Sequence, residues 1–173
     1  MNNKISRFLF KIYEFLQLMS QKEKIDRYEL LIKQMEALII CEENTIANLS
    51  NISALIKSEF DFLWVGFYLT HEQHLILGPF QGPVACTRIN YGKGVCGMAW
   101  KNAQSILVPD VGKFPGHIAC SSLSKSELVS PIIINEKVVC ILDADSDRLN
   151  GFDEIDKIMF EKICSKISLH ISF

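Results

Sequence analysis

Two apolar runs in the second half of the chain, ELVSPIII (127–134) and KVVCILDAD (137–145), are separated only by Asn135-Glu136. A connection of two residues joins antiparallel neighbours and no others, so this pair reads as a β-hairpin. A third run, FDFLWVGFYL (60–69), alternates with period two. Phe62, Trp64, Gly66 and Tyr68 are expected on one face, and Leu63, Val65, Phe67 and Leu69 on the other. THEQH reads as a connection, LILGPF as the returning strand, VACTRI as a further short strand and SILVPDV as strand-like, with GKGVCGMAW turning into a helix.

Helical spacing dominates both ends. Ile25, Tyr28, Ile32, Met35 and Ile39 form one stripe, and Ile46, Leu49, Ile52 and Ile56 another. Near the C-terminus the stripe is Ile155, Met159, Ile163 and Ile167, with Asp153 as the expected N-cap. Helices at both ends around mostly hairpin-linked strands predict an α+β domain with a central antiparallel sheet.

The first 20 residues carry Lys4 and Arg7 ahead of an apolar patch, but Lys11 and Glu14 interrupt it and no small-residue cleavage site follows. Ile5, Phe8, Leu9, Ile12, Phe15, Leu16 and Met19 share one helical face, so residues 1–20 read as an amphipathic extension and 21–173 as the domain. That face is expected to dock on the domain or on a partner, in preference to lying on a membrane surface. At 173 residues with 49% hydrophobic content, the chain holds one domain with a real core. A formal charge of −2 leaves no footprint for nucleic acid, and nothing approaches the length of a membrane span.

Six cysteines fall at 41, 86, 96, 120, 140 and 164. With no secretory signal, a reducing cytoplasm is the expected location, so each thiol is either packing or chemistry. Cys164 sits on a helical stripe, Cys41 borders a helix, and Cys140 alternates with Val138 and Leu142. These three read as core or near-core. Cys86, Cys96 and Cys120 lie instead among Gly, Pro, Thr and Ser, near element edges. With His117 they invite a zinc reading, but structural zinc sites space their cysteines two to four residues apart, and only His117 and Cys120 are that close. No metal or cofactor is expected. Redox exchange needs an attacking thiol and a second to close a disulfide, and this set suffices. Asp143 and Asp145 share a strand face opposite Cys140. They form either a solvated turn or, with Glu127, Trp64 and Tyr68, an acidic pocket with aromatic walls suited to a small ammonium ligand.

Taken in order, IANLSNISALI, WVGFYL, LGPFQGPVACTRI, GKGVCGMAW, VPDVGKFPGHIAC, SKSELVSP and LDADS resemble the free methionine-R-sulfoxide reductases, single-domain enzymes of the GAF fold. The similarity runs from about Lys22 to the last helix. It implies that Cys120 attacks the sulfoxide sulfur and becomes a sulfenic acid, that Cys86 condenses with it, and that Cys96 is an alternative or relay thiol. It further implies thioredoxin as reductant, Glu127, Asp143 and Asp145 as substrate-binding and proton-handling acids, Trp64 and Tyr68 as the aromatic wall, and Phe114–His117 as a lid. A homodimer is compatible with it. The chain departs from the family pattern at Ser121, Ser130 and Ala144, and lacks the proline often found after the serine of LDADS. The rival reading is a GAF-type ligand-binding or redox-sensing module without turnover.

Overall fold

The structure, a computed structural model, describes residues 2–118 and 120–171. Its elements are α1 (Asn2–Ile39), α2 (Thr45–Glu59), β1 (Trp64–His71), β2 (His74–Gln81), β3 (Arg88–Asn90), α3 (Gly94–Asn102), β4 (Ile106–Val108), β5 (Ser126–Ile134), β6 (Lys137–Ser146) and α4 (Glu154–Ile167). The strands form one six-stranded sheet in the order β3-β2-β1-β6-β5-β4, with every neighbouring pair antiparallel. The α+β expectation holds. The β5–β6 hairpin closes at Asn135-Glu136, both in the left-handed region (φ 49° and 63°), as a tight two-residue turn requires.

One sheet face carries Val65, Phe67, Leu128, Ile132, Cys140, Leu142 and Ala144 into a core shared with α1, α2 and α4. The other carries Trp64, Tyr68, Val129 and Ile141 against α3 and the connecting loops. Alternation along β1 and β6 therefore separates a structural face from the face that holds the site.

Several expectations give way to physical detail. Phe62 precedes β1 rather than lying in it, and packs with the helices. A bulge between Ile132 and Ile133 breaks the period opposite Val139, so Val138 lies against the site-side cluster and not with Cys140 and Leu142. Of VACTRI only Arg88 and Ile89 join a strand, and residues 84–87 form a loop. Thr70, His71 and His74 belong to strands, leaving Glu72-Gln73 as the turn. Ile25 and Ile46 stand exposed at the ends of their stripes, and Cys41, expected near the core, is also exposed.

The amphipathic extension and the first domain helix are one continuous helix, since no Gly or Pro interrupts residues 2–39. Tyr28, Leu31, Ile32, Met35 and Ile39 of its second half are buried, whereas Phe15, Leu16 and Met19 are exposed and do not dock on the domain. The Ile5, Phe8, Leu9 and Ile12 side chains lie outside those described. Asp153 caps α4 in a capping box with Asp156. Asp156 also accepts hydrogen bonds from Tyr28 Oη at 2.7 Å and Lys24 Nζ at 2.5 Å, which fixes α1 to the start of α4.

Candidate functional site

Cross-strand register builds the floor of the site. Trp64, Asp145 and Glu127 stand in one row across β1, β6 and β5, and Gly66, Asp143 and Val129 in the next row on the same face. Glu127 and Asp145 are thus direct cross-strand neighbours of like charge, which a sheet avoids unless something else requires it. Both Glu127 and Asp143 are 6% exposed. Gly66 leaves room for this arrangement, since a Cβ there would run into Phe80 and the Trp64 indole.

The walls come from three further segments. Trp64 and Tyr68 lie two residues apart on β1, their rings 6.0 Å apart. Helix α3 turns Cys96 inward, 3% exposed, with its Sγ donating toward Glu127 Oε1 at 3.8 Å. Cys96 is therefore enclosed, unlike the loop-edge thiol its Gly-rich surroundings suggest. The loop after β2 brings Cys86, whose carbonyl accepts a hydrogen bond from Tyr68 Oη at 3.0 Å. The segment before β5 brings His117, Cys120 and Ser124 over the same opening.

Cys86 and Cys120, 34 residues apart in sequence, are joined by a disulfide across the pocket, with 5.2 Å between their Cα atoms. Cys140 and Cys164 are buried and unpaired, as the sorting by environment predicts. His117 Nε2 lies 3.5 Å from Glu127 Oε2, and the Ser124 hydroxyl donates to Asp145 Oδ1. Ser124 is a site residue that sequence reasoning missed. It lies inside SKSELVSP, but nothing in the local pattern separates a serine bonded to Asp145 from an ordinary loop serine. Of the departures, Ser121 lines the pocket, whereas Ser130 lies buried on β5 with its carbonyl accepting from Cys164 Sγ at 3.7 Å.

The electrostatics follow from burial. Loss of hydration pushes Glu127 and Asp143 well above the usual carboxylate range, and the neighbouring acids push them further. Burial also raises Asp145, while its Ser124 hydrogen bond works the other way. The Cys96 thiol is driven well up, first by burial and then by the Asp143 charge, so it stays protonated. Asp143 Oδ1 and Trp64 Nε1 are buried without a hydrogen-bond partner. A pocket with buried acids whose pKa values are raised, unmet polar atoms and a closed disulfide at its mouth is equipped for a small polar ligand and for thiol–disulfide chemistry.

Comparison with known proteins fits this geometry. Residues 49–172 match the sequence pattern of the GAF domain. A GAF domain-containing protein A of Dictyostelium discoideum is 56% identical over 139 residues, 80% of this chain and 88% of the relative. The free methionine-R-sulfoxide reductase of Saccharomyces cerevisiae is 44% identical over 158 residues, 86% of this chain and 88% of that one. The X-ray structure of free methionine-R-sulfoxide reductase from Neisseria meningitidis, in complex with its substrate, superposes with a TM-score of 0.84 at 42% identity, covering 85% of this chain and 89% of the other. The chain belongs to the GAF-domain family of the free methionine-R-sulfoxide reductases.

Proposed function

We propose that this protein reduces free L-methionine-R-sulfoxide to L-methionine, and that the structure represents the oxidised end of the cycle. The observation that carries the reading is the Cys86–Cys120 disulfide in a pocket lined by three acids, of which Glu127 and Asp143 are buried. Cys120, as thiolate, attacks the sulfoxide sulfur while a protonated acid, Glu127, donates to the oxygen, which otherwise leaves poorly. The oxygen ends on Cys120 as a sulfenic acid, and methionine departs as the thioether. The Cys86 thiol then attacks the sulfenic sulfur, forming the disulfide and releasing water.

An external dithiol returns two electrons, and thioredoxin is the reductant we favour, in a reducing compartment such as the cytoplasm. Cys96 is enclosed beside Glu127 and serves as a reserve or relay thiol once the loops open. Asp143 and Asp145 receive the substrate ammonium, and Trp64 and Tyr68 flank its side chain.

A coupled assay with the separated epimers tests this. The R epimer of the free amino acid should turn over and the S epimer should not. Cys120→Ser should abolish methionine release, whereas Cys86→Ser should release one methionine per site and stall. No turnover of either epimer with all thiols reduced would leave a redox-sensing module as the better reading.

A further inference from the structure

We propose that the floor of the pocket is also a binding site for one thiophilic divalent cation of the zinc, cadmium or cobalt(II) class, held by the Cys96 thiolate and the Glu127 and Asp143 carboxylates. The three donors come from α3, β5 and β6, and their ligand atoms all lie within 4.8 Å of one another. In a tetrahedral zinc site, with Zn–S about 2.3 Å and Zn–O about 2.0 Å, the sulfur–oxygen edge is about 3.5 Å. Cys96 Sγ and Glu127 Oε1 stand 3.8 Å apart, so a small shift suffices.

Asp143 supplies the independent observation. Its side chain is buried on the pocket floor, and Oδ1 has no hydrogen-bond partner. A buried acceptor left this way calls for a ligand. Water completes the coordination.

One soft sulfur with two hard oxygens selects the metal. Magnesium demands near-octahedral oxygen coordination and keeps its waters, so it gains little here, whereas zinc and cobalt accept mixed sulfur and oxygen sets. The sequence argued against zinc because Cys86, Cys96 and Cys120 lack ligand spacing. The fold makes a different set, in which Cys86 and Cys120 are bonded to each other and Cys96 keeps the free thiol. The site therefore exists in the disulfide form. Binding displaces the thiol proton and any proton held by the two acids, so affinity rises with pH. On the reductase reading, a cation here and the substrate ammonium compete for Asp143.

The full chain in its disulfide form, titrated with cobalt(II), tests the site without any turnover. Failure of the reductase reading thus stays distinct from failure of the metal site. We expect one equivalent to give a near-ultraviolet thiolate-to-cobalt charge-transfer band with the strong visible absorption of a four-coordinate ion, both removed by one equivalent of zinc. Cys96→Ser should abolish the charge-transfer band, and Glu127→Gln and Asp143→Asn should each weaken binding at least about tenfold. Cys41→Ser, which removes the exposed thiol, should leave the band intact. Absence of the band in the unaltered chain, its survival in Cys96→Ser or its loss in Cys41→Ser would overturn the proposal.

Discussion

Glu127 faces Asp145 across the β5–β6 ladder, and both point into a pocket rather than into water. That placement opposes stability in the unliganded protein. A carboxyl whose folded pKa is raised above its unfolded value contributes most below the unfolded value, and that contribution is lost as pH rises toward the folded one. Glu127, Asp143 and Asp145 are all raised by burial, so the unliganded protein should lose stability from about pH 4 upward on their account. Glu127→Gln or Asp143→Asn should therefore raise Tm at neutral pH by roughly 2–6 °C in calorimetry, with a flatter dependence on pH. An unchanged or lower Tm at neutral pH in both would show that the acids are not strained. Glu127→Gln should at the same time lower kcat, and in the unaltered enzyme activity should fall as pH rises through the raised Glu127 pKa. Tyr68 offers a different kind of test, because its hydroxyl holds the Cys86 carbonyl. Tyr68→Phe should slow disulfide closure more than methionine release, seen as more dimedone-trapped sulfenic acid on Cys120 at equal turnover. Equal trapping in both chains would remove that positioning role. The acids were legible in the sequence because strand alternation places Asp143 and Asp145 on one face. Cys86 and Cys120 were not legible as a pair from spacing, because two separate loops bring them together and only the resemblance supplies that link.

Helix α1 shows what periodicity conveys and what it leaves out. The stripe from Tyr28 to Ile39 identified the buried face, since 3.6-residue spacing is itself the geometry of burial. Ile25 fits the same spacing yet is exposed at the N-terminal end of the stripe, and a period carries no information about where its partner surface stops. Polar anchors fix the docking. Lys24 reaches Asp153 at 3.0 Å and Asp156 at 2.5 Å, while Glu29–Lys162 and Glu36–Lys166 pairs, each at 2.6 Å, follow along the α1–α4 seam. The last two are partly exposed and contribute little. Tyr28 differs, being fully buried with its hydroxyl on Asp156, whose carboxyl also closes the α4 capping box. Tyr28→Phe keeps the ring packing against Phe60 and removes only that bond. It should cost about 1–2 kcal/mol by urea unfolding, with an unchanged m-value. Under about 0.3 kcal/mol would mean that Lys24 and the Asp153 N–H satisfy Asp156 without Tyr28.

The sheet divides the molecule into a helical support on one face and the candidate site on the other. Residues 14–20 are exposed and belong to neither side. The first half of α1 exposes Phe15, Leu16, Leu18 and Met19 at 61%, 60%, 64% and 52%, whereas ion pairs to α4 and α2 run from Lys24 and Arg27. Clustered exposed apolar side chains of this size mark a surface that associates with something or aggregates. We propose that residues 21–173 form the complete catalytic unit and that the extension serves association. A chain beginning at Gln21 should keep its Tm within about 3 °C, because the buried Tyr28-to-Ile39 stripe and the ion pairs of Lys24, Arg27, Glu29 and Glu36 remain. Its kcat/KM for free methionine-R-sulfoxide should stay within about twofold, because among the described residues the lining of the pocket begins at Leu63. In sedimentation, the full chain should self-associate as concentration rises, and the shortened chain should do so less. A shortened chain that folds with the same Tm but loses activity would join the extension to the catalytic unit and overturn this division.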